Sequence, residues 1–175
     1  MKKILYTGLA LVLLTCVFNC SVAFAFGNKQ PIRTQLEIRQ FQTRNYECTD
    51  KALIMKAMLN VLQDEGFIVN NANPLLGFIS GGKDFDVYDK TINFQKEFGH
   101  SRLWLINKKV KVAIIETTAN VTEYGNEIKV RINFKRKLLN VYGNALKIDD
   151  INQEDYYKDF FAKVDKAIFI QKQKI

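Results

Sequence analysis

The chain has 175 residues, 26 Lys and Arg against 18 Asp and Glu, a formal charge of +8, and one His with three Cys. That length suits one domain, and a composition 47% hydrophobic and 25% charged excludes a wholly disordered chain. One His cannot build a multi-histidine metal site and three Cys cannot build a four-cysteine one, which excludes those metal centres; no other cofactor is expected.

The first segment, Met1-Lys2-Lys3, is basic. Ile4 to Phe18 carries no charge, and Ala23-Phe24-Ala25 offers small residues at the −3 and −1 positions of a cleavage site. These three parts in this order describe a secretory signal peptide over residues 1–25. An uncleaved anchor is the competing reading, because apolar character reaches Phe26 and a span needs about 20 residues. Cys20 is the candidate lipidation position, although Asn19 and Val17 replace the small residue and the Leu that such a site prefers. The expected destination is the bacterial periplasm or the periplasmic face of the outer membrane. Removing 25 residues leaves 150, and removing Lys2 and Lys3 lowers the charge from +8 to +6. Only Cys48 then remains, so no internal disulfide forms and folding rests on the core.

Residues 26–34 read as a flexible leader before a single α+β domain over 35–175. Leu36 and Ile38 alternate with Glu37 and Arg39, a period of two that predicts a strand running to about Cys48. Asp50 caps a helix over Ala52–Glu65, with Ile54, Met58, Val61 and Leu62 on one side and Gly66 at the C-terminal cap. A short strand at Phe67–Val69, a turn at Asn70–Pro74 and a returning strand at Leu75–Ser80 follow. Gly81-Gly82-Lys83 ends that strand. Residues 84–101 form a long loop without a clean period. Leu103–Val121 is strand-like and turns through Glu123–Asn126. Ile128, Val130, Ile132 and Phe134 then alternate with basic and polar residues on a second strand. Leu138–Ala145 is a further strand or connector. Asp149, Asp150 and Asn152 cap a closing helix whose stripe is Tyr157, Phe160, Phe161, Val164, Ala167 and Ile168. The predicted fold class is α+β, a single antiparallel sheet with two helices packed on one face in a helix-grip-like arrangement.

No catalytic constellation emerges, and the protein reads as no enzyme. His100 sits between Gly99 and Ser101 with no nucleophile motif around it. Asp84, Asp86 and Asp89 lack calcium-loop spacing, and Gly81-Gly82-Lys83 lacks the rest of a phosphate loop. Lys109, Lys111, Lys129, Arg131 and Lys135 form a candidate anionic-surface patch. It suits a lipid headgroup surface or an acidic partner, or it is a solvated face that discourages edge aggregation. Nucleic acid is not an expected partner, because export removes the chain from it and no RNA-binding aromatic motif occurs.

Several strings, Gln42-Thr43-Arg44-Asn45-Tyr46, Thr49-Asp50, Leu62-Gln63-Asp64-Glu65-Gly66-Phe67 and Leu76-Gly77, resemble a group of poorly characterised bacterial envelope proteins and lipoproteins. Asp155-Tyr156-Tyr157, Phe160-Phe161 and Phe169 resemble that group's closing helix. The element order is similar to the helix-grip domains of lipoprotein component C of the outer-membrane β-barrel assembly machinery. The resemblance implies a non-enzymatic accessory or scaffold with an envelope protein partner. The alternatives are a module binding a lipid or other apolar molecule in the grip of helix and sheet, and a hydrolase using Asp or His100.

Overall fold

Six strands and four helices make up the described part of the chain, residues 33–47, 50–89 and 102–173 of a computed structural model. The signal peptide, Cys20, Cys48, His100 and most of the leader lie outside the described residues. Of the chain's two units, Met1–Arg33 and Thr34–Ile175, the second holds every described element. In order these are α1 (Gln35–Phe41), β1 (Thr43–Tyr46), α2 (Lys51–Asp64), β2 (Ile68–Asn73) and β3 (Phe78–Asp86). Then come α3 (Arg102–Asn107), β4 (Val112–Tyr124), β5 (Glu127–Leu139), β6 (Ala145–Asp150) and α4 (Glu154–Lys172). Every strand pairing is antiparallel, so the class is α+β as expected.

The sheet runs β1-β5-β4-β3-β2, and β6 also pairs with β5. Alternation along β5 sends Ile128, Val130, Ile132, Phe134, Arg136 and Leu138 to an inner face and leaves that face buried. β4 adds Ala113, Ile115, Thr117, Ala119 and Val121 to the same face. The anticipated stripe of α4 packs there with α2, and Tyr157, Phe160, Phe161, Val164 and Ile168 are buried. Phe134 sits at the centre of this layer. Its ring lies 5.0–5.9 Å from those of Phe67, Tyr156, Tyr157 and Phe160. Truncating such a buried ring to Ala costs about 3–5 kcal/mol. The Asp50 cap holds, with its carboxylate accepting the Leu53 N–H at 2.9 Å, and Gly66 at φ +82° closes α2.

Several local expectations are corrected. Gln35–Phe41 is a helix and not a strand. Thr34 and Glu37 form a reciprocal capping box, and of the residues in α1 only Ile38 is buried, so its neighbours gain nothing from a period of two. Thr34 is therefore a helix cap rather than the end of a flexible leader. Asn70–Asn73 belongs to β2 and not to a turn, because cross-strand pairing with β3 outweighs the turn-forming composition. The turn falls at Pro74–Gly77 and exposes Leu75 and Leu76. Gly81 and Gly82 lie inside β3. A Cβ on Gly81 would approach the Ile68 carbonyl oxygen to 2.8 Å, so the bulged β2 chain needs glycine there. Asp84 extends β3, while Arg102–Asn107 is α3 and β4 begins only at Val112. Asp149 and Asp150 end β6 instead of capping α4. The N-cap of that helix is Gln153, which makes no side-chain cap bond.

Candidate functional site

β1 and β6 share one edge of β5, end to end. Thr43 stands opposite Arg131, and Asp150 stands opposite Lys135. Between them the Ile132 N–H donates to the Gln42 carbonyl at 3.0 Å, and the Ile151 N–H donates to the Phe134 carbonyl at 2.9 Å. Asn133 has no strand partner on that side. Tyr157, from the first turn of α4, closes the break. Its hydroxyl accepts from the Phe134 N–H and from Gln42 Nε2, each at 3.3 Å. Burial raises the Tyr157 pKa above the usual phenol value, and the two donated bonds only partly offset it. The hydroxyl therefore stays protonated, and two polar groups that an open edge would strand are satisfied.

α1 crosses this break. Its Phe41 ring packs 5.1 Å from Tyr157, while Gln35, Ile38 and Gln42 wall a cleft of about 360 Å³. The other wall is the outer sheet face, with Glu116 and Thr118 of β4 and Arg131, Asn133 and Lys135 of β5. Asp150 and Asn152 close the end. Lys137 Nζ bonds Glu116 at 2.6 Å and neutralises it. Among the described residues Arg131, Lys135 and Asp150 have no ion pair, and the buried Nε of Arg131 has no hydrogen-bond partner.

Three of the five anticipated patch residues, Lys129, Arg131 and Lys135, lie on the outer face of β5. The first and the last are six positions apart along the strand, about 20 Å. Lys111 is further along, with its N–H on the Leu139 carbonyl and its Nζ on Asp86 at 2.7 Å. The bond from Lys111, then that from the Tyr88 N–H, holds the Asp86 carboxyl below its usual range. Lys109 lies in the turn after α3 with φ +59°. The structure thus gives a stripe interrupted by acids rather than one cluster. Arg136, between Lys135 and Lys137 in sequence, turns inward and forms a two-bond pair with Asp149. Burial would raise the Asp149 pKa, but Arg136 and then Lys147 more than offset it, and the carboxyl titrates below the normal range. Lys83 is likewise buried, with Nζ 3.4 Å from the Glu65 carbonyl oxygen and over the rings of Phe67 and Phe85.

Sequence reasoning missed Gln35, Gln42 and Asn133, and it assigned Asp150 and Asn152 to a cap. The capping box at Thr34 and Glu37 is the one local signal that would have placed α1. Nothing local brings β5, β6 and α1 together.

The free edge of β6 is the second feature. β6 pairs only with β5 among the described residues, and all its residues are exposed or half-buried. Leu146 and Ile148 are 47% and 54% exposed, and Val141 and Tyr142 in the preceding turn are exposed too. No group of three His, Cys, Asp or Glu among the described residues is arranged to hold a metal. None of the described helices is long and apolar enough to cross a membrane.

No protein-family model and no curated protein matches the chain. Among solved structures it matches a TBP-like protein from Parabacteroides distasonis ATCC 8503 at a TM-score of 0.38 and 12% identity, covering 72% of this chain and 90% of that one. It also matches a DUF4468 family protein from Bacteroides ovatus ATCC 8483 at a TM-score of 0.35 and 10% identity, covering 72% and 84%.

Proposed function

We propose that the protein is a non-enzymatic, exported binding module of the cell envelope, an accessory or scaffold in an outer-membrane or secretion assembly. It works by accepting an extended segment of a partner on the free edge of β6. The observation that carries this reading is that edge. An edge strand presents unpaired N–H and C=O groups, and natural proteins usually blunt it with charge, proline or a covering element. Here the edge carries exposed Leu146 and Ile148, followed by exposed Asp150, and exposed Val141 and Tyr142 stand in the preceding turn. Strand addition draws affinity from the backbone and specificity from alternate side chains, and this edge offers both. The signal-like first 25 residues support export. The rings around Phe134 fill the layer between α4 and the sheet, which favours a partner at the edge over an apolar ligand in the grip.

The test is cross-linking in cells with the tagged full chain, followed by fractionation and mass spectrometry. Wild type should give adducts with an envelope protein in the envelope fraction. Leu146→Lys/Ile148→Lys should lose them while keeping its fold, because both side chains are exposed. Identical adducts from both proteins, or free monomer from wild type, refutes the reading.

A further inference from the structure

The cleft at the β1–β6 break is a different surface from the β6 edge, and its chemistry is mixed in a specific way. With Glu116 neutralised by Lys137, two cations and one acid remain, Arg131, Lys135 and Asp150, a net excess of one positive charge. The guanidinium offers a planar fork suited to a carboxylate, and its buried Nε has no acceptor among the described residues. Around it stand the amides of Gln35, Asn133 and Asn152, groups that both donate and accept hydrogen bonds. Asp150 accepts only. Ile38 supplies an apolar wall.

We propose that this cleft binds a small carboxylate bearing several hydroxyl groups, of the acidic-sugar class. Arg131 and Lys135 hold the carboxylate. The amides and Asp150 take the hydroxyls, which need donors and acceptors together. Ile38 packs on the ring's C–H face. A cleft of about 360 Å³ is at the small end of ligand sites, and fits one sugar ring with its bound water. A bare inorganic anion would satisfy Arg131 and the amide donors but leave the amide carbonyls unmatched and face the Asp150 carboxylate. A neutral sugar would leave the net positive charge of the cleft uncompensated.

The experiment titrates the purified full chain with D-glucuronate, D-glucose and inorganic phosphate, read by calorimetry and by backbone amide shifts. Glucuronate should bind saturably, with a Kd of about 1 mM or below, and move the amides of Asn133 and Asp150. Glucose and phosphate should each bind about tenfold more weakly or worse, the effect of losing one charge-assisted contact or the hydroxyl contacts. Arg131→Gln and Lys135→Gln should each weaken glucuronate about tenfold with an unchanged melting temperature. Lys135 is exposed and has no ion pair among the described residues, so its variant carries the test if Arg131→Gln fails to fold. Absence of saturable glucuronate binding, glucose binding as tightly, phosphate binding as tightly, or no loss in Lys135→Gln each overturns the proposal.

Discussion

Replacing Tyr157 with Phe removes one oxygen from the break in the sheet edge and leaves two donors without their acceptor, the Phe134 N–H and the Gln42 side-chain amide. The ring keeps its packing against Phe41 and Phe134, so no large cavity forms and the transfer term is small. The loss is therefore that of unsatisfied buried polar groups, about 1–3 kcal/mol for each donor left without an acceptor. Gln42 borders the cleft and can turn toward solvent, whereas the Phe134 N–H is fixed in the strand. A total of about 2 kcal/mol follows from one full loss and one partial loss. Urea unfolding followed by circular dichroism reads it, with Tyr142→Phe, an exposed tyrosine, as the control expected within about 0.5 kcal/mol of wild type. Gln42→Leu combined with Tyr157→Phe strands only one donor, so the double variant should lose less than the sum of the singles by about 1 kcal/mol. Hydrogen exchange at Phe134 should quicken in Tyr157→Phe. A loss below about 0.5 kcal/mol together with additive behaviour would refute the bridging role of the hydroxyl.

Three further perturbations probe other parts of the same fold. Gly77→Ala puts a Cβ 2.0 Å from the Val121 carbonyl oxygen at a φ of +68°, so it should cost more than about 2 kcal/mol or prevent folding, read by thermal melting. Lys109→Gly relieves a left-handed conformation at φ +59° after α3 and should raise stability by about 0.5–1 kcal/mol, seen as a higher urea midpoint. The Asp149 carboxyl is depressed in the folded state, so its contribution is present above the unfolded carboxylate value of about 3.9 and disappears as pH falls through the lower folded value. The stability gap between wild type and Asp149→Asn should accordingly be constant near neutrality and shrink below about pH 4, and a gap that widens in acid would contradict the pairing with Arg136.

The parts legible in the sequence are those whose signal is local and uncontested. α2 had an N-cap in Asp50, one apolar face and a Gly66 stop, and the β4–β5 hairpin had alternation on both sides of Gly125-Asn126. Gly125 at φ +57° is what its turn requires. α1 was misread because Leu36 and Ile38 mimic a strand, while the burial of Ile38 alone was invisible. β6 was misread because Asp149 looks like a cap until Arg136, thirteen residues away, is brought opposite it. Strict alternation from Ile128 puts Arg136 on the inner face, between the outward-facing Lys135 and Lys137. The cleft joins α1, β4, β5 and β6 and depends on where two strands stop along a third, a property of the tertiary pairing alone.

The most direct measurement of the edge-binding function is site-specific photo-cross-linking in cells, with the reactive residue at Leu146 on β6 or at Leu75 in the β2–β3 turn on the opposite side of the sheet. Both positions are exposed and neither supports the core. Strand addition at β6 requires a discrete adduct with an envelope protein from Leu146 and none from Leu75. No adduct from Leu146, or equal adducts from both positions, would contradict it.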